Sequence, residues 1–240
     1  MPNWCQVEMI IKGDVDTLSR MNEIMLTEGH ARHPHDDTTL GQPMNLVPMP
    51  EELRGTRSPA PSGEYDADGK RMEWVNSPDN AIWTAEKYAA DKAEWVDLIK
   101  RAERAKDETG HDNWHSWTRD HWGTKWSMDV CNYVHNAHEI VIAGQTAWGP
   151  PLGLLSSITR MYPVTISAEY SEEGMDFIGV AIYKNSEELG LSEGSIHDFL
   201  PKDFDWEDDD AWDIAEDVKQ KLLVQHWTRA NGMSFRSTFG

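Results

Sequence analysis

Every second residue from Val7 to Ile11 is apolar, and the run stops at Gly13. That period of two is the mark of a strand with one face against a core. Asp14 or Asp16 then caps a helix whose stripe is Leu18, Met21 and Met25, with Gly29 suited to its end. A strand followed directly by a helix must lay both apolar faces on one layer, so the chain opens as a β–α unit.

The same grammar returns late in the chain. Met128, Val130, Ala137, Ile140 and Ile142 read as two strands broken near His135-Asn136. Pro150-Pro151 opens a helix carrying Leu152, Leu155, Ile158 and Met161, closed before Pro163. Val164, Ile166, Ala168 and Tyr170 alternate with polar residues as a half-buried strand. Glu172-Glu173-Gly174 turns it back into a returning strand from Phe177 to Tyr183. The order β-α-β-β-α-β-β predicts an α+β protein: a ferredoxin-like split βαβ core with one extra strand, and helices on one face of the sheet.

Between these blocks lies a long insertion, residues 30–126. Pro34, Pro43, Pro48, Pro50, Pro59 and Pro61 forbid long regular elements in its first part. Leu46 to Leu53 predicts an extended piece and then a helical turn, and 56–70 reads as loop with partial disorder. Ser77-Pro78 starts a helix that runs to about Lys106 and is stopped by Gly110; a short helix from Asp112 to His121 follows. The domain plan is therefore 1–184 with its insertion, then a C-terminal extension, 185–240. From Glu187 to Asp217 that extension holds thirteen Asp/Glu and one Lys, a net of −12. A final helix with Ile214, Val218 and Leu222 closes the chain, with acids at its N-terminal end where the helix dipole favours them.

Charge narrows the partners. The formal net charge of the 240 residues is −20, which opposes broad nucleic-acid binding and docking on anionic membranes. Nucleic acid is unfavoured as a partner without being excluded, because a local basic patch is compatible with the total. The start of the chain lacks a signal-peptide pattern and no run is long and apolar enough to span a bilayer, so a cytoplasmic location is expected. Cys5 and Cys131 both fall in apolar strand-like runs and are expected to be buried thiols in a reducing compartment.

No catalytic pattern emerges. G-x-S-x-G, the P-loop and G-x-G-x-x-G are all missing from the sequence. His111 and His115 lie four apart on a helix, with Asp112 and His121 nearby; His30, His33 and His35 form a looser set in a loop. Two His on one turn can ligate zinc, yet a site needs three or four ligands, and surface histidines are the simpler account. No metal and no cofactor are expected, and the chain leans away from being an enzyme.

Twelve tryptophans are several times common usage. The densest run is Asn113-Trp114-His115-Ser116-Trp117, followed by His121-Trp122-Gly123-Thr124-Lys125-Trp126. The simpler account of Trp114, Trp117, Trp122 and Trp126 is a buttress that docks the insertion on the sheet. The functional account is a stacking platform for a base or a partner's side chain, with Lys125 as the cation.

Five segments resemble Api92-like proteins, also called the YubB or DUF1281 group. They are Met1-Pro2-Asn3-Trp4-Cys5, Leu46-Val47-Pro48-Met49-Pro50-Glu51-Glu52-Leu53, Trp122-Gly123-Thr124-Lys125-Trp126, Thr146-Ala147-Trp148-Gly149-Pro150-Pro151 and Tyr170-Ser171-Glu172-Glu173-Gly174. They occur in order over about residues 1–184. The resemblance implies a phage- or plasmid-encoded protein with a ferredoxin-like core and supplies no reaction.

The acidic extension lies outside that resemblance. Its centre sets Asp205, Asp208, Asp209 and Asp210 beside Trp206, with Phe199, Phe204 and Trp212 interleaved. Carboxylates can occupy Lys/Arg sites built for phosphates, and aromatics can anchor them. The expected function is a non-enzymatic interaction protein of a mobile element. It would bind a basic surface on a host protein that handles nucleic acid, as a counter-defence inhibitor. The alternatives are an RNA- or nucleotide-binding module, with Tyr133, Tyr170 and Phe177 on the sheet, and a small-molecule enzyme.

Overall fold

The computed structural model describes residues 3–27, 40–58, 85–195, 197–200, 217–218 and 220–226. The chain forms two compact units, Met1–Pro48 with His121–Gly240, and Met49–Asp120.

The first unit is built on one six-stranded antiparallel sheet. Its strands are β1 (Trp4–Lys12), β2 (Asp129–His135), β3 (Glu139–Ala147), β4 (Thr165–Glu172), β5 (Phe177–Lys184) and β6 (Glu187–Gly194). Their spatial order is β2-β3-β1-β4-β5-β6. The first four strands and their two connecting helices make the ferredoxin-like split βαβ, and β5 and β6 extend it past β4. Strand β1 pairs with β4 from Gln6↔Ser171 to Lys12↔Thr165, so the opening and closing blocks share one sheet.

Alternation places Cys5, Val7, Met9 and Ile11 on one face, opposite Thr146, Gly144, Ile142 and Ile140 of β3. All but Gly144 rank among the most buried side chains of the protein. Helix α1 (Val15–Leu26) covers that face with Leu18, Met21 and Met25. Asp14 caps it, its carboxylate accepting the Thr17 N–H at 2.9 Å. The segment after α1 completes the layer through a 3-10 turn, Pro43–Leu46, whose four residues are all buried. Leu46 therefore lies in a helical turn rather than in the extended piece expected there; Val47 is a bend, residues 48–50 have no regular structure, and Glu51–Leu53 is the predicted turn.

In chain order α2 (Ala85–Thr109) and α3 (Trp114–His121) come next, and α4 (Leu152–Met161) is the second helix of unit one. Its buried stripe is Leu154, Leu155 and Ile158. Met161, expected in that stripe, is exposed: the buried side of the helix is set by Leu154, Leu155 and Ile158, and the last residue of the helix turns to solvent.

Two findings correct the expected plan. The sheet runs on past residue 184: Glu187–Gly194, read as the start of an acidic extension, is β6, paired with β5 along its length. Second, helices do not keep to one face. Residues 217–226 are helical where described, and Leu222 and Leu223 pack on Ile178 and Val180, on the opposite face from α1. Ile178 stands across from Ser171, which stands across from Gln6, and this row belongs to the outward face of β1.

Unit two contains α2 (Ala85–Thr109) and most of α3 (Trp114–His121), with the Glu51–Leu53 turn against α2. Gly110, at φ 81, ends α2, and Asn113 caps α3 by accepting the Ser116 N–H at 2.9 Å. The Trp114 N–H donates to Thr56 Oγ1 at 2.9 Å, and the Thr56 hydroxyl donates to the Leu53 carbonyl. The start at Ser77-Pro78, the Gly29 stop and the loop 59–70 lie outside the described residues.

Candidate functional site

The sheet face away from α1 is where polar side chains converge. Strand β1 presents Gln6 and Glu8 there, β4 presents Glu169 and Ser171, and β3 supplies a floor of Ala143 and Gly144. The helical residues within 217–226 pack on β5, and Gln220 and Leu223 form a wall of the groove. Cys131 closes the far rim. The result is a groove of about 190 Å³.

Register decides its chemistry. Glu8 stands directly across from Glu169. Like charges at that separation repel. Burial pushes the Glu8 carboxyl above its ordinary value, and the Glu169 charge adds to the push. Cys131 is exposed, its Sγ–H directed at the Ala143 carbonyl at 3.4 Å, so the expectation of two buried thiols fails for it. The physical reason is strand alternation: Val130 points inward across from Gly144, so Cys131, the next residue on this edge strand, falls on the open side, where a bulge interrupts the pairing before Asn132. Cys5 is buried as expected; desolvation, with the Glu172 charge behind it, pushes its thiol up to about 12.

Tyr170, one of the aromatics proposed for the sheet, borders the groove, but it stands across from Val7, in a row that faces α1. Tyr133 lies on the α1 side, its hydroxyl donating to Asn22 Oδ1 at 2.7 Å. Tyr170 is buried, its hydroxyl donating to Glu193 Oε2 at 3.0 Å, with Phe177 edge-on at 6.1 Å.

The tryptophan run divides. Trp122 is 4% exposed, and its indole N–H donates to the Val47 carbonyl at 2.8 Å. Gly123 turns the chain at φ 80, and the buried Thr124 donates to the Ala147 carbonyl at 3.0 Å. Trp126, read as part of the buttress, is only half-buried: it leans on Trp4, ring centres 6.4 Å apart, and Trp4 is itself exposed. Lys125 Nζ lies 4.6 Å from the Trp126 ring centre. Trp114 and Trp117 fall in unit two, where Trp117 is buried and Trp114 half-buried, edge-on to His115.

The histidine sets do not form a metal centre among the described residues. His111 Nε2 meets Asp120 Oδ2 at 2.9 Å and its Nδ1 meets the Thr109 carbonyl at 3.1 Å. His30, His33 and His35 lie outside the described residues, as do Asp205, Trp206, Asp208, Asp209, Asp210, Phe204 and Trp212.

One network had no counterpart in the sequence reading. Asp176, in the β4–β5 turn at φ 55, accepts from the Ser195 hydroxyl and from the His197 N–H at 2.9 Å; its Oδ1 also meets His197 Nδ1 at 2.6 Å. It fastens the chain after β6 to the hairpin beside it. A Ser, an Asp and a His in proximity invite a hydrolase reading. Here the carboxylate holds both partners, and the imidazole is not set to take the hydroxyl proton.

Fold and surface together define a ferredoxin-like α+β protein with a helix-walled polar groove on the sheet. Residues 121–218 match the family model described as the ferredoxin-like domain in Api92-like protein. A crystal structure of Api92 from Yersinia pseudotuberculosis, of the DUF1281 family, is similar over 81% of this chain and 99% of its own, at 11% identity and a TM-score of 0.41. No curated protein matches the sequence. Among the described residues no helix is long and apolar enough to cross a membrane.

Proposed function

We propose that this chain is a non-enzymatic interaction protein that engages a basic protein surface through the acidic C-terminal side of its sheet. The observation that supports the reading most is β6. This edge strand carries Glu187, Glu188 and Glu193 with exposed Leu189 and Leu191 between them. It leads along the chain into the run holding Asp205, Trp206, Asp208, Asp209 and Asp210. Interleaved charge and apolar bulk provide fast, charge-steered encounter together with anchors that hold it.

A partner that normally handles nucleic acid has the matching Lys/Arg surface. In the phage or plasmid setting that the resemblance implies, it is a host protein, a defence component being the natural target. The RNA-binding alternative has less support, since Glu8 and Glu169 occupy the open sheet face and Tyr133 and Tyr170 are engaged elsewhere.

The test is capture from host lysate at low and high salt, with wild type and with Asp205, Asp208, Asp209 and Asp210 all changed to Asn. A partner held by wild type and released by salt or by the four substitutions is the expected result. Equal capture by both proteins rejects the charge mechanism.

A further inference from the structure

We propose that the groove on the open sheet face binds a guanidinium group, with Glu8 as its charge partner and Ser171 and Gln6 as further acceptors. This site is separate from the acidic C-terminal surface and does not depend on it.

Three observations converge. Ser171 is 3% exposed, yet it lines the groove, and its hydroxyl has no hydrogen-bond partner among the described residues. Buried polar groups are as a rule satisfied, and a hydroxyl left open toward a cavity points to a ligand. Glu8 is half-buried, faces Glu169 across the strand pair, and makes no hydrogen bond or ion pair with any described residue. Gln6 stands across from Ser171 and adds an amide carbonyl on the same face. The groove thus gathers acceptors and negative charge around a hydroxyl that has no protein partner among the described residues. Its missing component is a cation with several N–H donors.

Spacing selects which cation. Glu8 and Gln6 are two positions apart on β1, about 7 Å, and Ser171 is one strand away, about 5 Å. A bare divalent ion needs its ligands within about 2.6 Å and cannot span that set. An ammonium is a point charge that serves one acceptor group at a time. A guanidinium is planar with five donors in a fixed fork, which matches separated acceptors along a sheet. Leu223 offers an apolar wall for its flat face, and the floor of Ala143 and Gly144 leaves room for it. The volume, about 190 Å³, is below that of pockets for drug-sized ligands, so the groove takes a single side-chain-sized group.

The group can arrive free or on an arginine of another protein, and the test separates the two. Calorimetric titration of the full chain uses agmatine in one arm and a capped Gly-Arg-Gly peptide in the other. Agmatine is expected to bind with a dissociation constant below about 1 mM. Glu8→Gln should weaken it about tenfold or more, and Ser171→Ala about threefold. Glu23→Gln, which removes one exposed charge from α1 on the far side of the sheet, should leave affinity within about twofold. The melting temperature of each variant separates lost binding from lost fold, and Ser171→Ala carries the test if Glu8→Gln fails to fold. Peptide binding as tight as agmatine assigns the site to a protein arginine; binding of agmatine alone assigns it to a free small molecule. Absence of saturable binding, equal weakening by Glu8→Gln and Glu23→Gln, or displacement of agmatine by millimolar Mg²⁺ would each overturn the proposal. None of these variants touches the acidic run, so the failure of one proposal is distinguishable from the failure of the other.

Discussion

The Trp122 indole N–H and the Val47 carbonyl meet at 2.8 Å, although 75 positions separate them in the chain. The bond ties the start of the Trp122-Gly123-Thr124-Lys125-Trp126 segment to the 3-10 turn that completes the α1 layer. Trp122→Ala removes a large buried side chain and leaves that carbonyl without its donor. A loss of about 3–5 kcal/mol is expected from the cavity. Trp122→Phe keeps most of the apolar bulk and should cost about 1–3 kcal/mol, the penalty for an unmet buried acceptor. Urea denaturation of both variants checks the order; a melting temperature unchanged in Trp122→Ala would mean that the indole serves a partner and not the fold.

Gly123 carries a separate constraint. Its φ is 80, and a Cβ there would lie 2.9 Å from the Gly153 nitrogen and 3.1 Å from that of Leu152. Both obstacles are backbone at the start of α4, where Leu154 N–H also donates to the Trp122 carbonyl at 3.1 Å. Gly123→Ala should therefore destabilise by more than the roughly 1–2 kcal/mol of a left-handed non-glycine residue. Thermal unfolding followed by circular dichroism measures it. Equal stability of wild type and variant would show that α4 can shift at no cost.

Much of the fold could be read in the chain because most strands alternate cleanly: Val7, Met9 and Ile11, or Ile166, Ala168 and Tyr170, fix which face is inward. Strand β6 escaped because Glu187-Glu188-Leu189-Gly190-Leu191-Ser192-Glu193-Gly194 has glycines and acids where a strand usually has branched residues. Its leucines are exposed, so alternation there does not report a core. A local signal was present. Asn185 and Ser186 both adopt positive φ, 53 and 59, and form the tight two-residue link that joins β5 to β6. The groove was beyond sequence reading for a different reason. Glu8, Glu169 and Ser171 become neighbours only through the β1–β4 register, and nothing local to any of them announces it.

The two cysteines should separate in a labelling experiment. Cys131 is exposed on the sheet face, whereas Cys5 is buried with its thiol pushed up to about 12, first by desolvation. Thiolate is the reactive form, so Cys5 is doubly protected at neutral pH. Native protein with an aromatic disulfide reagent at pH 8 is expected to release one equivalent promptly and the second only on unfolding. Cys131→Ser should abolish the prompt phase. Two equal phases in the native protein would contradict the burial of Cys5.

The Asp176 clasp predicts a pH dependence with a definite sign. Partial burial pushes its carboxyl up, but hydrogen bonds from Ser195 and His197 outweigh that and hold it below the ordinary 3.8. A depressed folded-state pKa means that the unfolded chain binds the proton first as pH falls. The stabilisation is therefore fully present above the ordinary carboxylate value and is lost as pH drops through the lower, folded one. The 195–198 segment should loosen from the β4–β5 turn only below about pH 3.8, the unfolded-state value. At neutral pH, Asp176→Asn mimics that loss of charge while still tolerating the left-handed backbone at this position. Faster hydrogen exchange at the His197 and Asp198 amides is expected, with β1, β3 and β4 unchanged. Glu23→Gln on α1 provides the charge control. Exchange that quickens equally across the whole sheet would mean that Asp176 supports the fold as a unit and not the fastening of one segment.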